Sequence, residues 1–188
     1  MARPRSEDKR NAIMSAAIRV IASQGLGAAT ATIAQEAGVS NGSLFTYFET
    51  KADLMNQLYI ELKAEMAAAA LDRLPTKSEI RKQGLHMWSN WLRWATSSPE
   101  KRRTLAHLGV SDDITPESLQ TGHQTMAGMA KFLERSRENG PMRNAPLGFV
   151  VALMNAMADA TIDFMIRDPA NAKKHCKAGF DALWRMLG

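Results

Sequence analysis

The sequence has a single cysteine, no apolar start and no long run of apolar residues. Cys176 cannot form an intrachain disulfide, which is consistent with a reducing compartment. The residues before Asn11 lack the apolar core of a signal peptide, and no apolar run is long enough to span a membrane. These absences predict a cytoplasmic protein with no membrane partner.

Patterns for metal binding and catalysis are also lacking. The histidines and the cysteine show no H-x-x-x-H or C-x-x-C spacing, and the adjacent His175 and Cys176 point apart on a helix. Asp159 and Asp163 share a helix face, but nothing in the sequence suggests a catalytic partner for them. We therefore expect no metal, no other cofactor and no enzyme activity.

Strand-forming patterns are almost absent, because Ala, Leu, Met, Glu, Lys and Arg dominate and Val, Ile and Thr do not alternate. Proline and glycine divide the chain into about nine helices, with start signals at residues 98–99, 115–116 and 168–169. One of these helices is expected from residue 115 to residue 139. We predict an all-α fold, with an N-terminal three-helix bundle and a larger helical domain.

Residues 28–51, AATATIAQEAGVSNGSLFTYFETK, have the pattern of a helix, a tight turn and a second short helix. Apolar residues repeat at helical spacing between residues 33 and 37. Gly38 suits a left-handed residue that closes the first helix, and Ser40 can cap the second, which we expect over residues 41–47. A helix-turn-helix of these proportions puts its second helix into the major groove of DNA.

The run GVSNGSLFTYFETKADL resembles the signature of the TetR family of bacterial one-component regulators. In that family a GVS turn leads into a short recognition helix, followed by Y-F-x-[ST]-K and apolar residues. The resemblance covers residues 9–56 and implies a DNA-binding domain at 1–51 and a ligand-sensing and dimerisation domain at 52–188. It further implies a homodimer, a pseudo-palindromic double-stranded DNA operator, a small-molecule effector and, as the family default, repression.

The helix-turn-helix segment at residues 28–51 departs from the family in its lack of basic residues. Residues 29–32 are uncharged where the family often has a threonine pair and a basic residue, and no Lys or Arg lies between Arg19 and Lys51. The net charge of +5 suits a polyanion but is not concentrated here. Attraction to phosphate must come from helix N-termini, hydroxyls, Lys51 and the N-terminal arm. That arm is either a minor-groove contact or an ordinary soluble terminus, and its basic residues are Arg3, Arg5, Lys9 and Arg10.

Two groups of residues are predicted to contact DNA. The candidates for phosphate contacts are Thr30, Ser43, Tyr47 and Lys51, and those for base edges are Asn41, Gly42, Phe45 and Thr46. Asparagine can pair with adenine, a threonine methyl or phenylalanine ring can touch a thymine methyl, and glycine allows close backbone approach. Leu44 and Phe48 are expected in the core, and Tyr47 is alternatively a core residue.

Bulky residues in the later helices suggest an effector site and a dimer interface. A pocket for a small apolar or aromatic molecule is predicted among Trp88, Trp91, His123, Met126, Phe149 and Met154, although such residues alternatively pack a core. The predicted dimer residues are Ala156, Phe164, Phe180 and Trp184, which alternatively bury within one subunit. The other reading of the whole chain is an all-helical small-molecule-binding protein or enzyme whose helix-turn-helix is structural only.

Overall fold

A computed structural model describes the backbone of residues 3–188 and the side chains of residues 7–188. Within residues 3–188 there are ten α-helices and no strand, so the all-α prediction is confirmed. The helices are α1 (Arg3–Gln24), α2 (Thr30–Glu36), α3 (Asn41–Tyr47), α4 (Lys51–Leu71), α5 (Ile80–Ser97), α6 (Pro99–Leu108), α7 (Pro116–Thr125), α8 (Ala127–Arg137), α9 (Leu147–Arg167) and α10 (Ala172–Leu187).

The tenth helix arises from a break that the sequence did not predict. The helix expected over residues 115–139 is two helices, α7 and α8, because Met126 has ψ 1° and leaves the helical conformation. The chain also passes from one compact unit to another between Gln124 and Thr125. Neither proline nor glycine stands at Met126, so the usual breaker signals gave no warning.

The first compact unit comprises Met1–Ala64 and Ser98–Gln124. Here α1 packs against both α2 and α6, and α2 packs against α3. Apolar residues from these helices and from the first half of α4 share one core, which includes Ile13, Ile21, Ile33, Leu44, Phe48, Leu54, Leu58, Leu62 and Leu108. The second and third helices are only seven residues long each, and such short helices depend on tertiary packing and caps.

The second compact unit comprises Glu65–Ser97 and Thr125–Gly188. Its centre is α5, which packs against α8, α9 and α10, while α9 and α10 pack against each other. The approach of α9 to α10 is very close at Gly179, because a Cβ atom there would collide with the side chain of Thr161. The predicted boundary between a DNA-binding domain at 1–51 and a ligand-sensing and dimerisation domain at 52–188 is a division by function, and it stays a prediction.

The apolar helix α9 corrects one expectation. This helix, Leu147–Arg167, contains an 18-residue window with a mean hydropathy of 1.6, so by length and composition it could cross a membrane, whereas no such run was expected. Asn155, Asp159 and Asp163 interrupt the run without lowering its mean hydropathy below what a span requires. Only 22% of this window is buried, so much of its apolar surface has no cover within the chain.

Candidate nucleic-acid interface

The turn between α2 and α3 is closed by hydrogen bonds to the last turn of α2. Gly38 has φ +68° and donates its N–H to Gln35 O at 3.1 Å, while Val39 N–H donates to Ala34 O at 3.0 Å. This pair of bonds is the Schellman pattern, which needs a residue that tolerates positive φ. Val39 then packs partly against the core of the unit. The turn therefore fixes the direction in which α3 leaves.

The third helix, α3, has the bounds that the sequence predicted, and its N-terminus is capped. Ser40 Oγ accepts the backbone N–H of Ser43 at 3.1 Å, which satisfies one of the free N–H groups of the first turn. Leu44 and Phe48 are fully buried, as expected. The exposed side of the helix carries the predicted base-edge residues Asn41, Gly42, Phe45 and Thr46.

Phe45 stands out on this exposed surface, because 41% of a large apolar side chain is open to water. The ring offers apolar area that a partner surface could cover. Thr46 Oγ1 donates to Gly42 O at 3.2 Å within the helix. This bond occupies the hydroxyl hydrogen of Thr46, so its methyl group is the more available part of the side chain.

The predicted phosphate contacts are placed less uniformly. Ser43 and Thr30 are partly exposed at the starts of α3 and α2, and Tyr47 packs partly against the core. The N-cap of α2 is Ala29, which has no side-chain hydrogen bond, so neither Thr30 nor Thr32 caps this helix. The first N–H groups of α2 therefore lack a capping side chain at the N-cap position.

Lys51 has a structural partner. Its Nζ donates to the backbone O of Leu26 at 2.6 Å, which ties the start of α4 to the loop between α1 and α2. A lysine ammonium has three N–H groups, so this bond leaves others for a phosphate. The contact to DNA stays a prediction, but the charge of Lys51 is held in place by the fold.

Arg10, which was assigned to the N-terminal arm, lies inside α1 and is bound by side chains of α4. Its guanidinium donates to Gln57 Oε1 at 2.9 Å and to Glu61 Oε1 at 2.5 Å. It also lies 5.7 Å from the centre of the Phe48 ring. The arm prediction is therefore wrong for Arg10, because these partners hold it within the unit. The side chains of Arg3 and Arg5 lie outside the described residues.

The network around Arg10 was missed by sequence reasoning. Asp53 accepts the Glu49 N–H at 3.2 Å and the Gln57 amide at 2.9 Å, so it links the exit of α3 to α4 and, through Gln57, to Arg10. Arg10 and Gln57 are in hydrogen-bond contact although they are 47 residues apart in the chain. The only sequence signal is the pair Thr50 and Asp53, whose spacing is typical of a helix start.

The electrostatic character of the exposed surface follows from these bonds. Arg19, the last basic residue before Lys51, donates its Nε to Glu36 Oε1 at 2.8 Å, so its charge is partly balanced. Glu49 is exposed next to the C-terminus of α3. The base-edge surface itself carries an amide, a hydroxyl, a ring and a glycine. It is suited to hydrogen bonding and apolar contact with bases rather than to charge pairing.

The predicted effector residues do not lie together in one unit. His123 is exposed on α7 in the first unit, while Trp88, Trp91, Met126, Phe149 and Met154 belong to the second. Trp88 donates its indole N–H to Cys176 O at 3.0 Å and meets Trp91 edge-on at 5.8 Å, as core residues do. Phe149 is 53% exposed at the start of α9. The effector site stays a prediction.

The predicted dimer residues separate into two groups. Ala156 is exposed and Phe164 is 57% exposed, both on α9. Phe180 is only 1% exposed, and both Phe180 and Trp184 approach Gly84 of α5 within the unit. Phe180 therefore has no area left for a partner subunit, because it fills the contact between α10 and α5. This part of the expectation is corrected.

A family model confirms the sequence resemblance in the N-terminal part of the chain. Residues 13–58 match the model of the bacterial regulatory proteins of the tetR family. This stretch contains the end of the first helix, the complete helix-turn-helix and the first turns of α4. The exposed face of α3 therefore lies within the part of the chain that matches this model.

Solved structures of TetR family proteins share the fold over nearly the whole chain. A transcription regulator from Shewanella sp. PV-4 is 25% identical with a TM-score of 0.83, covering 94% of this chain and 96% of that one. One from Marinobacter aquaeolei VT8 is 22% identical with a TM-score of 0.82, covering 98% of both chains. LfrR from Mycobacterium smegmatis, solved in complex with proflavine, is 20% identical with a TM-score of 0.69, covering 94% and 95%. Residues 13–58 of this chain thus match a tetR family domain, and the fold of the chain is similar to that of solved TetR family transcription regulators.

Proposed function

We propose that this chain reads DNA sequence through the uncharged face of α3. The observation that carries the proposal is the exposure of Asn41, Phe45 and Thr46 on a capped helix of a TetR-type helix-turn-helix. Asn41 can pair with an adenine edge, and Phe45 with the methyl of Thr46 can contact thymine methyl groups. The surrounding hydroxyls and Lys51 provide the phosphate contacts that set the register.

The test is selection of bound sequences from a random DNA pool, followed by affinity measurements at fixed salt. Asn41→Ala should lower affinity for the selected site by about 1–3 kcal/mol and relax preference at one base pair of each half-site. Gln120→Ala, an exposed residue of α7 in the same unit, is the control and should leave both unchanged. Failure to enrich any sequence would contradict the proposal.

Thr46 allows a finer test, because its hydroxyl and methyl can be separated. Thr46→Val keeps the methyl and removes the hydroxyl that donates to Gly42 O, whereas Thr46→Ala removes both. Retained preference in Thr46→Val and lost preference in Thr46→Ala would support a thymine methyl contact. Equal loss in both variants would assign the role to the hydroxyl instead.

We also propose that a small apolar or aromatic effector releases the protein from DNA, so that the chain acts as a cytoplasmic repressor. The support is the family itself and the neighbour LfrR, which was solved with proflavine. Mass spectrometry of the natively purified protein tests for a retained small molecule, and a reporter gene behind the selected site tests the direction of control. Higher expression on adding protein would make it an activator.

The uncovered face of α9 supports a homodimer on a pseudo-palindromic operator. Ala152, Ala156 and Ala160 are exposed one turn apart, with Phe149 and Phe164 at either end. Small residues allow a second helix to approach closely, and the terminal rings supply apolar area. A second subunit would cover the surface that the chain leaves bare.

The alternative function is a small-molecule-binding protein or enzyme that does not bind DNA. No observation on the described side chains favours a catalytic role, and the match of residues 13–58 to a regulator domain favours the first proposal. Absence of any DNA binding by a folded dimer, together with a retained small molecule, would support the alternative.

A further inference from the structure

Lys63 on α4 is a partly buried cation that has no anionic partner among the described side chains. Its Nζ lies 5.6 Å from the centre of the Tyr59 ring, one turn earlier on the same helix. Among residues 7–188, no carboxylate and no hydrogen-bond acceptor contacts this Nζ. Most lysines that lose solvent on folding gain a carboxylate or carbonyl in return, and Lys63 gains only a ring face.

The acidic residues near Lys63 in the sequence are engaged elsewhere. Glu61 accepts from Arg10 at 2.5 Å, and Glu65 accepts the Trp94 indole N–H at 2.9 Å. The neighbouring helix α7 presents Gly122, where a Cβ would lie 2.6 Å from the Tyr59 ring and 3.4 Å from Lys63 Cγ. Glu117, the one acidic residue of α7, stands in its first turn, away from Gly122.

Tyr59 cannot neutralise the ammonium either. Its side chain is 2% exposed, and burial raises the pKa of the phenol, which keeps it uncharged at neutral pH. Burial likewise lowers the pKa of Lys63, because the protonated amine has lost water without gaining a counter-ion. An incoming anion would therefore provide an interaction that the described residues do not.

We propose that Lys63 binds the carboxylate of the effector, which makes that effector an apolar carboxylic acid. The inference rests on the proposed ligand-responsive function and narrows its ligand class. Lys63 lies on α4, the same helix that begins at Lys51 directly after the α3 exit and carries Asp53 and Gln57 of the Arg10 network. A bound carboxylate thus acts on the helix that is covalently joined to the DNA reader.

The test uses three probes with one ring system and different charge: 2-naphthoate, 2-naphthamide and 2-naphthylmethylammonium. Isothermal titration of the full chain should show 2-naphthoate binding about tenfold more tightly than the amide, with the cation weakest, because only the carboxylate gains a charge-assisted bond. Equal affinities for the three probes, or no binding of 2-naphthoate, would overturn the proposal.

Matched variants test whether Lys63 is responsible for any preference for 2-naphthoate. Lys63→Met keeps an unbranched stem and removes the charge, so the preference for 2-naphthoate over 2-naphthamide should disappear, whereas Lys63→Arg should retain it. Lys82→Met, an exposed lysine of α5, is the control and should behave as the wild type. An unchanged preference in Lys63→Met would overturn the assignment. Circular dichroism of each variant checks that loss of preference is not loss of fold.

The titration contains no DNA, which separates this inference from the proposed function. A chain that prefers 2-naphthoate through Lys63 but enriches no DNA sequence would keep the anion site and lose the regulatory role. A chain that binds a selected operator but shows no preference for the charged probe would keep the regulatory role and lose the anion site. Release of bound operator by 2-naphthoate, absent in Lys63→Met, would support both.

Discussion

At the scale of single residues, three basic side chains of the first unit are held by hydrogen bonds within the protein. Lys51 donates to Leu26 O, Arg10 to Gln57 and Glu61, and Arg19 to Glu36. Each of these bonds joins two helices or a helix and a loop of the first unit. The same side chains therefore contribute to folding, and their removal has two effects that must be measured separately.

Lys51→Met should change both stability and the salt dependence of DNA binding. Loss of the bond to Leu26 O should cost about 1 kcal/mol in the free energy of unfolding, measured by urea denaturation. Loss of one phosphate contact per subunit should reduce the slope of log K against log salt by about one per subunit. Lys82→Met should alter neither. A stability loss with an unchanged slope would show that Lys51 acts only within the fold.

Two glycines of the helix-turn-helix should respond in opposite ways to alanine. Gly38→Ala should destabilise the protein by about 1 kcal/mol, because φ at this position is +68° and a Cβ disfavours it. Gly42→Ala should stabilise it by up to about 1 kcal/mol, because residue 42 is helical and a Cβ there meets nothing within 4 Å.

A DNA-binding measurement on the same variants separates effects on stability from effects on DNA recognition. Gly42→Ala should bind the selected site more weakly despite its higher stability, since a methyl group would lie where the backbone is proposed to approach the bases. Thermal melting and a titration with labelled DNA give the two quantities on the same samples. Full affinity in Gly42→Ala would remove close backbone approach from the proposed reading mode.

At the scale of elements, sequence prediction succeeded where a local signal ends a helix. The bounds of α3 followed from Ser40 at its start, and Gly38 closed α2 as expected, because capping and positive φ are decided by a few adjacent residues. The break at Met126 and the bonds of Arg10 could not be predicted in this way. They depend on which residues distant in the chain come together, and a single sequence carries little of that information.

The cap of α3 provides a test at this scale. Ser40→Ala should lower stability by about 1 kcal/mol, because the Ser43 N–H loses its acceptor in a helix of only seven residues. Ser40→Asp should keep the cap and most of the stability, but its negative charge should repel the DNA backbone and weaken binding. Equal stability losses in the two variants would show that the hydrogen bond at Ser40 is not what supports α3.

At the scale of the whole molecule, the exposed face of α9 is the feature on which the dimer proposal rests. Phe149 and Phe164 are 53% and 57% exposed, and the apolar window of α9 is only 22% buried. A sequence-based interface at Phe180 and Trp184 was drawn from apolar periodicity, which cannot distinguish burial inside a subunit from burial between subunits. The proposal for the dimer now rests on α9.

Replacement of Ala156 or Phe164 by glutamate should convert a dimer to monomers. Glutamate at Ala156 places a carboxylate in the centre of the proposed contact, and glutamate at Phe164 places one at its end; in both, burial of an unpaired charge costs several kcal/mol. Sedimentation equilibrium gives the dissociation constant, and Ala127→Glu on the exposed side of α8 is the control. A wild-type protein that is monomeric at micromolar concentration, or variants that dimerise normally, would remove α9 from the interface.

The uncharged face of α3 has a consequence for the kinetics of target search. Proteins slide along DNA because non-specific binding is electrostatic, and no Lys or Arg occurs in the sequence between Arg19 and Lys51, the stretch that contains α3. Residence on random DNA should therefore be short, and operators should be found mainly by repeated encounters from solution. Occupancy would then follow protein copy number closely, and lengthening the DNA that flanks an operator should hardly increase the association rate.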